Sequence, residues 1–204
     1  MKNKKKITYD DFIVEYLEKA EILKLEGEFE EAIKLLHKII VQEPGCIEAY
    51  EELGDNYLSI RKLPKAEKAL KQALKLNPDS PNTYYLLGFL YSLQQKWEAS
   101  VKELTKANKL FPNHPEILRC LGWAYYNENR KTQGTALLER SKTLSPLDLN
   151  ILCDLGVCYM NSFSFEKATQ IFKKIIQIDP NSDQAKDAID FLEIINDKIK
   201  NKKI

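Results

Sequence analysis

With two histidines, four cysteines and seven glycines in 204 residues, the chain has little material for a catalytic or metal centre. Neither His37 nor His114 has the neighbouring Ser, Cys and acid pattern that nucleophilic catalysis needs. No phosphate-loop, H-E-x-x-H or EF-hand signature occurs either. The expectation is a non-enzymatic protein without a cofactor. Long apolar runs are also missing: stretches such as Ile39-Ile40-Val41 fall far short of the ~20 residues that cross a bilayer. The lysine-rich start, residues 1–6, runs into Asp10 and Asp11 rather than into the apolar segment of a signal peptide. No membrane span is expected, and a cytoplasmic location is read. The chain lacks an excess charge as well. Lys and Arg number 31 against 30 Asp and Glu, a net charge of +1, so the basic footprint of a nucleic-acid binder is absent. Cys46, Cys120, Cys153 and Cys158, without a secretory signal, are read as reduced thiols. The spacing of Cys153 and Cys158 is neither a zinc-ribbon nor a redox spacing, and Cys120 with Cys153 has no third convergent ligand.

What the chain has is periodicity. Pro44, Pro78, Pro112, Pro146 and Pro180 recur every 34 residues, as do Gly54, Gly88, Gly122 and Gly156 and the aromatics Tyr57, Tyr91, Tyr125 and Tyr159. At 44% hydrophobic the composition is that of a folded chain. Placing each Pro near the end of a repeat gives 13–46, 47–80, 81–114, 115–148 and 149–182, each reading as two helices. In the second repeat Tyr50, Leu53, Gly54 and Tyr57 share one side of a first helix, and Ala66, Leu70, Ala73 and Leu74 share one side of a second. Pro64 suits the first turn of that second helix, because its missing N–H would be unpaired there anyway. Ser80, Asp148 and Ser182 offer side-chain oxygens to the open N–H groups of following helices.

The second repeat resembles the tetratricopeptide repeat at Tyr50, Leu53, Gly54, Tyr57, Ala66, Leu70, Ala73 and Pro78. The third matches with Tyr84, Leu87, Gly88, Tyr91, Ser100, Leu104, Ala107 and Pro112, and the fifth with Leu152, Leu155, Gly156, Tyr159, Ala168, Phe172, Ile175 and Pro180. The fourth departs at Gly134, where the family has Ala. A helix-interior glycine costs about 0.5–1 kcal/mol, which predicts a looser second helix there. The first repeat is the most divergent, as a terminal repeat with a solvated face would be. The resemblance implies an all-α fold, a right-handed α-solenoid of antiparallel helix pairs. Residues 1–12 form a basic lead-in and the start of the first helix, and 183–204 a capping helix with a basic tail. In that helix Ala185, Ala188, Ile189, Leu192, Ile195 and Ile199 form an apolar stripe, with Phe191 and Ile194 off it. Covering the last repeat accounts for the stripe, and self-association through a second apolar face is the alternative.

The resemblance further implies a concave groove lined by the second, fifth, ninth and twelfth residues of each repeat. In the first two repeats these are Val14, Leu17, Glu21, Lys24, Glu48, Glu51, Asp55 and Leu58, an acidic entrance carried by Glu21, Glu48, Glu51 and Asp55. The third and fourth give Asn82, Tyr85, Phe89, Ser92, Glu116, Arg119, Trp123 and Tyr126, and the fifth ends with Met160. Tyr85, Phe89, Trp123 and Tyr126 form a candidate aromatic platform, with Asn82, Arg119 and Met160 beside it. Two alternatives stand: Phe89 and Trp123 pack against each other, and Arg119 pairs either with a partner carboxylate or with Glu116. The Lys, Asn and Arg clamp by which one subfamily holds chaperone C-termini is absent, since its places hold Leu17, Glu21, Glu52, Asn82 and Leu86.

A protein or peptide partner in the groove is expected, with the chain acting as an adaptor or co-chaperone. The alternative is a scaffold that self-assembles head to tail, for Gly134-Thr-Ala-Leu-Leu-Glu-Arg-Ser141 resembles a stretch of a magnetosome-associated scaffold of this repeat family. The near-zero charge is a cancellation. Residues 1–6 and 198–204 carry eight lysines and no acid, leaving 23 basic against 30 acidic side chains between them.

Overall fold

A computed structural model describes residues 10–201; the lysines of residues 1–6 and the end of the basic tail lie outside the described residues. Among them the chain forms eleven helices: α1 (Asp11–Leu25), α2 (Phe29–Gln42), α3 (Ile47–Ser59), α4 (Leu63–Leu76), α5 (Pro81–Leu93), α6 (Trp97–Leu110), α7 (Pro115–Asn127), α8 (Lys131–Leu144), α9 (Leu149–Asn161), α10 (Phe165–Ile178) and α11 (Asp183–Asn201). The fold is all-α, built of consecutive helix pairs of the solenoid class.

Local chemistry sets the ends. Ser80 Oγ accepts from Thr83 N at 3.1 Å, Asp148 Oδ1 from Asn150 N and Ile151 N at 2.9 and 3.1 Å, and Ser182 Oγ from Ala185 N at 3.1 Å. Pro64 sits in the first turn of α4. The turn inside each pair repeats every 34 residues with positive φ at Gly27, Arg61, Gln95, Asn129 and Phe163. At each, two crossed bonds close the preceding helix, as where Arg61 N donates to Leu58 O and Lys62 N to Tyr57 O. This closure needs a left-handed residue just past the helix, a place glycine fills most readily, yet only the first turn has glycine. The turn chemistry was therefore invisible as a glycine signal.

The chain divides into two compact units, one ending at Leu90 and one beginning at Tyr91. In the first, α1 packs on α2, α2 on α3 and α3 on α4, and α1 also reaches α3. Leu36, Ile39, Leu70, Ala66 and Ala73 are fully buried. In the second, each helix from α6 to α11 packs on the next, α7 also reaches α9, and α9 reaches α11. Its core gathers Leu138, Leu152, Leu155, Phe172, Ile175, Ala185, Ala188 and Ile195. On α11 the stripe is shifted from expectation: Ile189 and Ile199 are exposed, while Phe191 stacks on Phe172 at 5.1 Å between centroids. The aromatic contact turns Phe191 inward.

Glycine placement inside the pairs is steric. A Cβ on Gly54 would stand 2.5 Å from Leu70 Cδ2, and one on Gly156 2.5 Å from the Phe172 ring. Gly134 corrects the expectation of a loose α8. It is buried, and a Cβ there would lie 2.5 Å from Gly122 O and 2.6 Å from Tyr126 N. Paired glycines let the α7 and α8 backbones approach, at places where the other pairs hold Ala or Ser on the second helix. Gly134→Ala, which restores the family residue and would gain about 1 kcal/mol of helix propensity in isolation, is expected to destabilise by about 2 kcal/mol, because backbone atoms cannot step aside as a flexible side chain can. Urea unfolding checks this; a gain in stability would show that the backbones separate freely.

Candidate functional site

The first helices place the expected groove residues unevenly. On α1, Lys24 reaches across to α3, with Nζ donating to Glu52 Oε2 at 2.6 Å and Asp55 Oδ2 at 3.1 Å. Burial would lower its pKa, and the hydrogen bonds and charges of Glu52 and Asp55 outweigh that, leaving it above the usual lysine value. Glu21 and Glu48 are exposed. Glu51 is buried, and its carboxylate accepts from Ser80 Oγ at 2.5 Å, from Asn82 Nδ2 at 2.9 Å and from Thr83 Oγ1. Glu51 and Asn82 are thus engaged with each other across the start of α5, and Glu51 is internal where an acidic entrance was expected.

Along α5, Tyr85 and Phe89 are half-buried and stack at 6.4 Å between centroids with 18° between planes. Residues four apart on a helix meet in this way. On α7, Trp123 and Tyr126 stack at 6.3 Å and 13°. Tyr126 is a core residue whose hydroxyl donates to Cys158 O at 3.3 Å, and Met160 is buried in the same cluster. Their packing takes Tyr126 out of the expected aromatic platform and Met160 out of the groove residues expected beside it. Trp123 is half-buried against that cluster, so part of its ring is structural.

Arg119 resolves toward its own chain. Its Nε and Nη2 donate to the two Glu116 oxygens, each at 2.7 Å, and Nη1 to Asp154 Oδ2 at 2.6 Å on α9. Burial would lower its pKa, but the Glu116 hydrogen bonds and the Asp154 charge raise it well above the ordinary arginine value. Burial likewise raises the Asp154 carboxyl, with Arg119 drawing it back. The sequence reading missed Asp154 and Thr83 and the cross-helix roles of Glu52 and Ser80, since each acts across helices at a separation no single-helix pattern encodes.

The four cysteines are free thiols, Cys153 half-buried and the others buried. Burial raises all three of the group around Arg119 and α9: Cys153 to about 11, Cys158 to about 12, and Cys120 further still. The thiolate is the reactive form, and an ordinary cysteine has a pKa of about 8.5. At pH 8 the native protein is therefore expected to react slowly with a disulfide reagent, Cys153 leading, and to release all four thiols in denaturant. Rapid native labelling of Cys120 or Cys158 would contradict the packing around them.

Among the described residues no helix is long and apolar enough to cross a membrane. Comparison with known proteins agrees with the repeat pattern. A family model described as TPR repeat matches residues 54–95, and one described as Tetratricopeptide repeat matches residues 149–182. No curated protein matches in sequence. Among solved structures the chain is similar to TTC0263, a thermophilic TPR protein in Thermus thermophilus, at 18% identity over 88% of this chain and 98% of that one, with a TM-score of 0.79. It is similar to Pseudomonas aeruginosa pilF at 16% identity over 94% and 92%, TM-score 0.75. It is also similar to MamA 41-end from Desulfovibrio magneticus RS-1 at 18% identity over 86% and 99%, TM-score 0.69. At such identities the likeness concerns the fold.

Proposed function

Because this chain is a tetratricopeptide-repeat protein, a protein-interaction module, we propose that it works as an adaptor or co-chaperone in the cytoplasm, holding a partner peptide or helix against its first helices without catalysing a reaction. The observation that carries this reading is the half-buried Tyr85 and Phe89 stack on α5. Two rings fixed in one orientation present apolar area at little further entropic cost on binding. Exposed Glu21 and Glu48 favour a segment with basic flanks. In the second unit, the outer part of Trp123 offers a further aromatic contact.

Affinity capture with wild type and with the Tyr85→Ala/Phe89→Ala variant tests this. The variant is expected to lose at least about tenfold in partner affinity, about 1.4 kcal/mol or more, as removal of central aromatic contacts does. Helical circular dichroism and the unfolding midpoint control for folding. Equal capture by both forms removes the reading. A second reading, a scaffold that self-assembles, is favoured by the apolar Ile189, Ile194 and Ile199 exposed on α11. A chromatographic concentration series that stays monomeric removes it.

A further inference from the structure

A cleft of about 950 Å³ opens among the second helices of the first unit, lined by residues of α2, α3 and α4. Its apolar lining is Ile40, Tyr50, Leu53 and Tyr57, the last held by its hydroxyl 3.2 Å from His37 Nε2. Its rim is α4, from which Lys65, Lys68, Lys71 and Lys75 all stand exposed at one side of the cleft. Glu67, the one acid in the lining, pairs with Lys71 at 2.7 Å. Lys68 and Lys75 are left with no carboxylate in ion-pair range among the described residues.

Solvation alone would scatter such charge evenly over the second helices, and it is not scattered. The four places taken by these lysines hold Ala99, Lys102, Thr105 and Lys109 on α6, then Gln133, Ala136, Glu139 and Thr143 on α8, and Lys167, Gln170, Lys173 and Gln177 on α10. Only α4 is basic at all four. The place of His37 is taken on α8 by Glu139, which accepts from the Tyr159 hydroxyl and pairs with Lys142, so the corresponding position there carries its own acid. The first-helix side of the same unit is acidic, with Glu21, Glu48, Glu52 and Asp55.

We propose that this cleft is a docking site for an acidic amphipathic peptide segment. One apolar side chain seats on Ile40, Tyr50 and Tyr57 while its carboxylates meet Lys68 and Lys75. Those two lysines are two helical turns apart, about 10.5 Å along the axis, which matches acids two turns apart in a helical partner. An apolar lining with an aromatic wall takes apolar side chains; a phosphodiester backbone or a lipid surface would leave it unfilled. The site is separate from the Tyr85 and Phe89 stack and stands or falls independently of it.

The test titrates the isotope-labelled full chain with a synthetic amphipathic helical peptide carrying glutamates two turns apart around a leucine. Its lysine counterpart, duplex DNA and phosphatidylglycerol vesicles serve as comparisons. Saturable shifts at Ile40, Leu53 and Lys68 amides are expected with the acidic peptide alone. Lys68→Glu/Lys75→Glu, both exposed and so compatible with folding, is expected to weaken binding by at least about tenfold and to turn the preference toward the lysine peptide. Tyr85→Ala/Phe89→Ala leaves this binding unchanged. The proposal is overturned if the acidic peptide does not move these amides, if the double charge reversal binds it as well as wild type, or if DNA or vesicles occupy the cleft more tightly.

Discussion

Glu51→Ala is expected to lower the unfolding free energy by about 3 kcal/mol and to speed amide exchange at the start of α5. The carboxylate is buried and gathers the hydroxyls of Ser80 and Thr83 and the amide of Asn82, joining α3 to the N-terminal turn of α5. Ser80 and Thr83 are themselves buried, at 5% and 0% exposure. Truncation therefore strands donors that water cannot readily reach, and each stranded group costs about 1–3 kcal/mol. Ser80 also caps α5 through Thr83 N, so losing its anchor weakens the cap as well. Glu51→Gln keeps one acceptor oxygen and is expected to cost less than half as much. An Ala variant as stable as wild type, by urea unfolding, would mean that the α3 to α5 junction does not depend on the carboxylate.

The second large effect lies on α7. Arg119→Ala leaves Glu116 and Asp154 without their common cation, and breaking a buried charged network costs about 3–5 kcal/mol. Arg119 keeps 15% side-chain exposure and Asp154 20%, which brings the expected loss to about 2–3 kcal/mol after solvent screening. The pH dependence has a definite sign. Burial already raises the Asp154 carboxyl above its value in the unfolded chain, and losing the arginine raises it further. A carboxyl raised in the folded state binds its proton more tightly there, so its penalty is absent below the unfolded pKa and grows as pH rises through the folded one. Arg119→Ala is thus expected to be closer to wild type in stability at pH 4 than at pH 8. A loss that stays constant with pH would show that Asp154 finds another cation or water.

Much of the helical order was readable because it rests on short-range periodicity. Tyr50, Leu53 and Tyr57 on one side of α3, and Ala66, Leu70 and Ala73 on one side of α4, are spaced by the helix itself, and Ser80, Asp148 and Ser182 cap because their oxygens reach N–H groups two or three residues on. Which of the groove residues remain accessible was less legible. Tyr126 and Met160 share a place in the period with Lys24 and Ser92, which are half-buried, and with Leu58, which is buried, so the place alone does not tell core from groove; the cluster of α8, α9 and α10 residues around them does. Gly134 read as a defect for the same reason: propensity knows the helix it belongs to, and the contact with Gly122 belongs to a pair.

The amino-acid sequence by itself determined the 34-residue period, the acidic body between basic ends, and the helices with their caps, which follow from spacings within a turn or two of helix. Only the tertiary structure decided which charges are spent internally. Glu51 was committed to Ser80 and Thr83, Arg119 to Asp154, and Lys24 to Glu52 and Asp55, while Lys68 and Lys75 were left beside an apolar cleft. The reason is physical: a charge is satisfied or left open by what stands about 3 Å from it, and those neighbours lie some thirty residues away in the chain.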